Sequence, residues 1–273
     1  MKNPVMISMS RNRASRRAAW LIVVLLLLAG CSHGTRVAPG VTWEHVTAPG
    51  VDYHVVRVDL REQSLRVLGS RPDARGLTVS ELGERIGAIA AINGDYFEED
   101  KRPVGLAMGS CEKWESAGSA RRQWVLFVNG SRAEILHPES LDEPPPSWAE
   151  NGVSGWPVVV ENCRVIPAAE LPGSDHFTRA PHPRTAVGLD RSGRTLYLVV
   201  ADGRREGVPG LTLEELGKIM REHGACEALN LDGGGSSALF LTGEIRNVPS
   251  DGTERAVGNH LAVVPASTAP DCD

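Results

Sequence analysis

The chain has 273 residues, 41% of them hydrophobic and 5% aromatic, and carries a formal net charge of −5. That length supports one domain with a sizeable core, and an acidic balance with no basic block beyond the N-terminal segment excludes a nucleic-acid footprint. Abundant glycine (29) and proline (18) point to many turns and short strands.

At the N-terminus, Arg11, Arg13, Arg16 and Arg17 precede an apolar run over 18–28. The run is too short to cross a bilayer as a stable helix but suits the apolar part of a signal peptide. Leu28-Ala29-Gly30-Cys31 follows, in the form of a lipoprotein cleavage box. Residues 1–31 are therefore expected to be a signal peptide, with Cys31 lipidated and the domain tethered to the bacterial cell envelope, on its periplasmic or outer face. The alternative is an ordinary secretory signal or an uncleaved anchor, with Cys31 incidental. Both place the domain outside the cytoplasm. The polar stretch 32–40 reads as a tether, and 41–266 as a single domain.

Within that domain, 51–60 and 64–69 alternate apolar and polar residues and are expected to pair as strands. Residues 78–87 predict a helix, with Val79, Leu82 and Ile86 on one face and Thr78 and Glu81 at capping-box spacing. An apolar strand over 88–92 runs into Asn93-Gly94-Asp95-Tyr96-Phe97. Asn129-Gly130 between 124–128 and 133–136 is a hairpin signal. A second hairpin turns at Ser192-Gly193, between 184–190 and 195–201. A second capped helix covers 212–223, with Thr212 and Glu215 as its box and Gly224 as its terminal glycine. A strand over 226–231 then ends in Asp232-Gly233-Gly234-Gly235-Ser236-Ser237. The pattern predicts an α+β domain: a mixed β-sheet core with a few flanking helices.

Cys111, Cys163, Cys226 and Cys272 remain after the signal. An oxidising location permits disulfides, and four cysteines allow three connectivities, among which the sequence does not choose. No pair has zinc-finger spacing, so no metal is assigned and no cofactor is expected, although an oxygen-rich calcium site would be compatible with several aspartates near a phosphate.

Three aspartates stand at strand ends beside glycine or aromatic residues: Asp95, Asp202 in Ala201-Asp202-Gly203-Arg204, and Asp232. A strand end is a rigid mount, and a neighbouring glycine admits substrate to the backbone. Asp-Gly is also an ordinary turn, which for Asp202 weighs equally. The run Gly233, Gly234, Gly235, Ser236 could aim successive N–H groups at an anion. It lacks the Walker lysine and the Gly-x-Ser-x-Gly elbow, so Ser236 as a nucleophile is a minority reading. Arg184, Arg204 and Arg255 adjoin these loops and suit a phosphodiester. His182, before Pro183, is read as a loop residue.

Asn93-Gly94-Asp95-Tyr96-Phe97, His182-Pro183-Arg184-Thr185-Ala186-Val187-Gly188, Asp202-Gly203-Arg204, Leu229 through Ser237 and Glu254-Arg255-Ala256-Val257-Gly258-Asn259 occur in that order. As a set they resemble the phosphodiester glycosidase family, from about Ala88 onward. The resemblance implies an exported hydrolase that splits a sugar-1-phosphodiester, acting on envelope or exopolysaccharide-type glycans. It also implies a pocket shared by Asn93, Asp95, Arg184, Asp202, Asp232, Ser236, Arg255 and Asn259. Arg184 and the glycine-loop amides would hold phosphate, an aspartate would activate water, and Asn93 and Asn259 would hold sugar hydroxyls or brace loops. The competing readings are a non-catalytic phosphosugar-binding lipoprotein of the same fold and a serine-dependent esterase using Ser236.

Overall fold

The computed structural model describes residues 34–117, 123–137, 144–270 and 272. Residues 1–31, expected to be a signal peptide, and with them Cys31 lie outside the described residues. Among the described residues three β-sheets dominate, with three α-helices: α1 (Val79–Ile86), α2 (Asp175–Thr178) and α3 (Leu213–Glu222). The fold is thus more β-rich than the α+β expectation.

The eight-stranded sheet runs Thr35–Ala38, Val41–Ala48, Val51–Asp59, Thr195–Ala201, Arg184–Leu189, Glu227–Asn230, Val158–Glu161, Arg164–Val165 in spatial order. A second sheet contains Asn151–Gly155 and the hairpin Trp124–Asn129/Arg132–Leu136. A third sets Leu239–Leu241, Ala90–Asn93, His260–Pro265 and Leu65–Gly69 side by side. Three expectations need correction. Thr35–Ala38 is an edge strand, so much of the expected tether is built into the sheet. Val51–Asp59 and Leu65–Gly69 belong to different sheets and do not pair. Every strand pairing among the described residues is antiparallel, so the sheets are not mixed.

The last correction has a topological cause. A strand–helix–strand unit normally makes a parallel pair. Here α1 connects Leu65–Gly69 to Ala90–Asn93, but His260–Pro265 lies between them, antiparallel to both. Likewise α3 connects Thr195–Ala201 to Glu227–Asn230, with Arg184–Leu189 inserted between. Each helix crosses over one strand supplied from elsewhere in the chain.

The main core forms where the three sheets meet: Val56, Leu198 and Leu229 from the first, Leu126 and Val153 from the second, Ile92 and Leu261 from the third. Each such large side chain contributes about 1.5–3 kcal/mol by leaving water. On the opposite face of the large sheet, Leu213, Leu216 and Met220 of α3 pack on Val159, Ala186 and Ala228. Both predicted capping boxes are present, Thr78 with Glu81 and Thr212 with Glu215. In α1, Gly83 lets the helix touch the third sheet, since a Cβ there would sit 2.5 Å from the Phe240 ring. The disulfides are Cys111–Cys272 and Cys163–Cys226.

Candidate active site

Hydrogen bonding between neighbouring strands gathers three of the sequence motifs at one end of the large sheet. Arg184 opens its strand directly opposite Ala201, so the following Asp202-Gly203-Arg204 turn begins beside it. Leu231 N–H donates to the Thr185 carbonyl (2.8 Å) and Gly234 N–H to the Pro183 carbonyl (2.9 Å), drawing the glycine run onto the same strand end. Between them lies a pocket of about 260 Å³ whose polar walls are His182, Arg184, Arg204, Asp232 and Arg255. A larger cleft of about 490 Å³ lies beside α1, but there Arg71 and Arg85 are already tied to Glu112 and Asp73.

Arg184 is buried. Its Nε donates to the Leu211 carbonyl (3.0 Å) and its Nη2 to those of Phe177 (2.7 Å) and Ala180 (3.3 Å). Burial lowers its pKa to about 10, which still leaves it a cation at neutral pH. Arg204 lies across Gly234, where an added Cβ would sit 3.0 Å from Nη2, so the glycine makes room for the guanidinium. Arg255 pairs with Asp251 and donates from Nη1 to the Ser236 hydroxyl (3.4 Å).

Asp232 is the carboxylate among these cations. It is partly buried, and its Oδ1 accepts from Gly233 N–H at 2.9 Å. Burial raises its pKa to about 6, against the lowering effects of the Ser236 hydroxyl, the Gly233 amide and the Arg255 charge. At neutral pH it is therefore mostly ionised yet close to its titration point, the condition a general base requires.

The glycine run does not form the open nest expected. The amides of Gly233, Gly234, Ser236 and Ser237 already donate to Asp232, Pro183, Gly233 and Gly234 respectively. Gly235 keeps the remaining amide of the run. The cause is the short 3-10 turn over Gly234–Ser236, which folds the loop back on itself.

Four of the expected site residues are internal braces, which for Asn93 and Asn259 was one of the two roles expected and for Asp95 and Asp202 was not. Asn93 donates to the Asp232 carbonyl (2.7 Å) and accepts from Thr185 and Ala238, so it fixes the loop without reaching the pocket. Asp95 is fully enclosed: Oδ1 accepts from Ser154 N–H and Asn259 Nδ2, Oδ2 from the Ser154 hydroxyl. Asn259 returns a bond by accepting from Asp95 N–H (2.7 Å). Asp202 accepts from Val248 N–H (3.0 Å) and faces Arg205. Of the three strand-end aspartates, only Asp232 reaches the pocket, because the polar neighbours of Asp95 and Asp202 fold over their carboxylates.

Ser236 is buried, and its hydroxyl meets Arg255 and Asp232; among the described residues no imidazole stands at hydrogen-bond distance from it. The three aspartates do not converge on a cation site. The one group of three metal-type donors among the described residues is His45, Asp52 and His54, on the hairpin of Val41–Ala48 and Val51–Asp59. These groups already have protein partners: Asp52 bonds His45 and Arg205, and His54 Nδ1 accepts from the Trp43 indole N–H.

His182, read from sequence as a loop residue, lines the pocket, and Arg204 stands there beside it. The Pro-His-Pro-Arg run was a signal of a rigidly presented side chain.

A three-sheet β-rich domain thus gathers Asp232 and the guanidinium groups of Arg184, Arg204 and Arg255 around one pocket. The chain belongs to the phosphodiester glycosidase family, whose profile matches residues 86–264. It is 28% identical over 268 residues to the mouse N-acetylglucosamine-1-phosphodiester alpha-N-acetylglucosaminidase, covering 89% of this chain and 51% of that protein. It is 26% identical over 191 residues to the SPbeta prophage-derived uncharacterized protein YomE of Bacillus subtilis, covering 68% of this chain and 29% of YomE. The chain thus spans about half or less of these relatives. The auto-inhibited catalytic domain of the zebrafish N-acetylglucosamine-1-phosphodiester alpha-N-acetylglucosaminidase shares the fold, with a TM-score of 0.65 at 21% identity over 83% of this chain and 84% of that one.

Proposed function

We propose that the protein hydrolyses a sugar-1-phosphodiester between the anomeric carbon and the phosphate oxygen. The observation that carries this reading is Asp232, a carboxylate with a raised pKa, facing guanidinium groups in one pocket of a phosphodiester glycosidase domain. The cations hold the phosphate. Asp232 accepts a proton from water as the water oxygen bonds to the anomeric carbon. The bond from that carbon to the bridging oxygen breaks, its electron pair leaving with a phosphate monoester. The products are a free sugar and that monoester. A phosphate monoester departs readily, which lessens the need for the second carboxylate of ordinary glycosidases.

The substrate class proposed is an N-acetylglucosamine-type or related phosphodiester in envelope or exopolysaccharide glycans, by analogy with the mouse relative's name. We further propose export and lipid anchoring at Cys31; the sequence 28–31 and two disulfides, which suit an oxidising compartment, support this. No helix among the described residues is long and apolar enough to cross a membrane. The test is turnover of N-acetylglucosamine 1-(methyl phosphate) in heavy-oxygen water. Label in the sugar supports the reading. Label in the phosphate means P–O cleavage and overturns it.

A further inference from the structure

Four guanidinium groups stand in or beside the pocket, and they are partnered in two different ways. Arg255 pairs with Asp251, and Arg205 with Asp52 and Asp202. Arg184 and Arg204 form no ion pair with any described carboxylate. Arg184 is held by backbone carbonyls, whereas Arg204 is held by a ring: its Nη2 lies 3.3 Å from Nδ1 of His182.

The protonation of that ring follows from its other contact. Nε2 of His182 lies 3.1 Å from the His176 carbonyl oxygen, which only accepts, so Nε2 carries the hydrogen. Nδ1 is then a bare lone pair and accepts from Arg204. The ring's further neighbours are His176, edge-on with centroids 5.0 Å apart, and the cations Arg184 and Arg204; burial and these charges lower its pKa, which keeps it neutral.

The backbone beneath is fixed as well. His182 lies between Pro181 and Pro183 and exchanges two hydrogen bonds with Leu211 (3.1 and 2.9 Å). Gly210 has φ +110°, and a Cβ there would sit 2.4 Å from the His182 carbonyl oxygen. Arg204 itself takes φ +58°, a left-handed conformation for a non-glycine residue, and donates its N–H to Pro209 (3.0 Å). Both side chains thus spring from constrained backbone and meet over Gly234.

We propose that His182 is a positioning residue that aims Arg204 at the substrate phosphate through a neutral acceptor, leaving the guanidinium charge uncompensated for the incoming anion. This rests on the phosphodiester reading of the pocket and deepens it. A carboxylate would orient Arg204 equally well but would cancel its field where the phosphate binds. An imidazole lone pair orients without cancelling.

The test compares the full chain with its His182→Asn, His182→Ala and His182→Asp variants, using calorimetric titration with inorganic phosphate alongside steady-state kinetics on N-acetylglucosamine 1-(methyl phosphate). Asn presents an oxygen where Nδ1 stood, so it should recover most of what Ala loses. Ala should weaken phosphate binding and raise KM by about tenfold, the size of one charge-assisted hydrogen bond, with kcat changed far less. Asp should be weaker still than Ala, although it restores an acceptor. In the double variant His182→Ala with Arg204→Ala, binding should be no weaker than in Arg204→Ala alone. Phosphate binding as tight in Asp as in Ala, additive losses in the double variant, or a fall in kcat at unchanged KM would each overturn the proposal. Phosphate binding does not depend on turnover: the predicted order without any turnover would sink the glycosidase reading and leave this one standing, and turnover without the order would do the reverse.

Discussion

The side-chain amide of Asn93 donates to the backbone carbonyl of Asp232 across 139 positions of sequence, at 2.7 Å. Asn93 ends a strand of the third sheet, and Asp232 follows a strand of the first. The bond therefore makes the position of the pocket carboxylate depend on the joint between two sheets. Asn93→Ala should leave the Asp232 carbonyl and the Thr185 hydroxyl without this partner and cost about 1–3 kcal/mol of stability. The loss should appear in denaturant unfolding.

Asp232→Asn is expected to lower kcat by about 10²–10⁴-fold while thermal unfolding stays near that of the parent protein. In the parent protein, the raised pKa of about 6 means the basic form disappears as pH falls through that value. The rate should therefore rise with pH through about 6 and level off above it. A pH–rate profile checks the second statement and circular dichroism the folding of the variant.

Asp95 should affect stability rather than rate. Burial raises its pKa from 3.8 to about 7 despite the hydrogen bonds from Ser154 and Asn259. The folded state then holds a proton that the unfolded state has released, so this group's contribution to stability falls as pH rises between about 4 and 7. The slope approaches about 1.4 kcal/mol per pH unit at most. Asn at this position accepts from Ser154 N–H and Asn259 and donates to the Ser154 hydroxyl. Asp95→Asn should accordingly fold and flatten that slope, measured by urea unfolding at several pH values.

The two aspartates mark the limit of what the sequence discloses. Both stand at strand ends beside glycine, and the glycine-serine run after Asp232 does not reveal which of the two carboxylates is closed over. What separates them is Ser154 and Asn259, 59 and 164 positions away from Asp95, which close over one carboxylate and not the other. Helices α1 and α3 were legible because Thr78 with Glu81 and Thr212 with Glu215 act within one turn, whereas the four-residue α2 was not among the expected helices. The sheet arrangement was not, since His260–Pro265 enters between two strands from the far end of the chain. The same holds for His182, whose role depends on Arg204, a neighbour brought in by the Asp202 turn.

The disulfides should differ in their contribution through the loops they close. Their separations are 161 positions for Cys111–Cys272 and 63 for Cys163–Cys226. Chain-entropy reasoning makes the longer loop worth about 0.6–1 kcal/mol more. Thermal unfolding of paired serine variants, Cys111→Ser with Cys272→Ser against Cys163→Ser with Cys226→Ser, measures the difference.

The Cys111–Cys272 bond has a second consequence, for survival under proteases. It closes a covalent ring that contains His182, Arg184, Arg204, Asp232 and Arg255, while Asn93 and Asp95 lie on the stretch leading into it. A single backbone cut anywhere between the two cysteines opens the ring without releasing a fragment. The severed pieces remain linked through sulfur, and the strands that carry the pocket stay within reach of one another. A nicked molecule of this kind runs as one species until a reductant is added and as two afterwards.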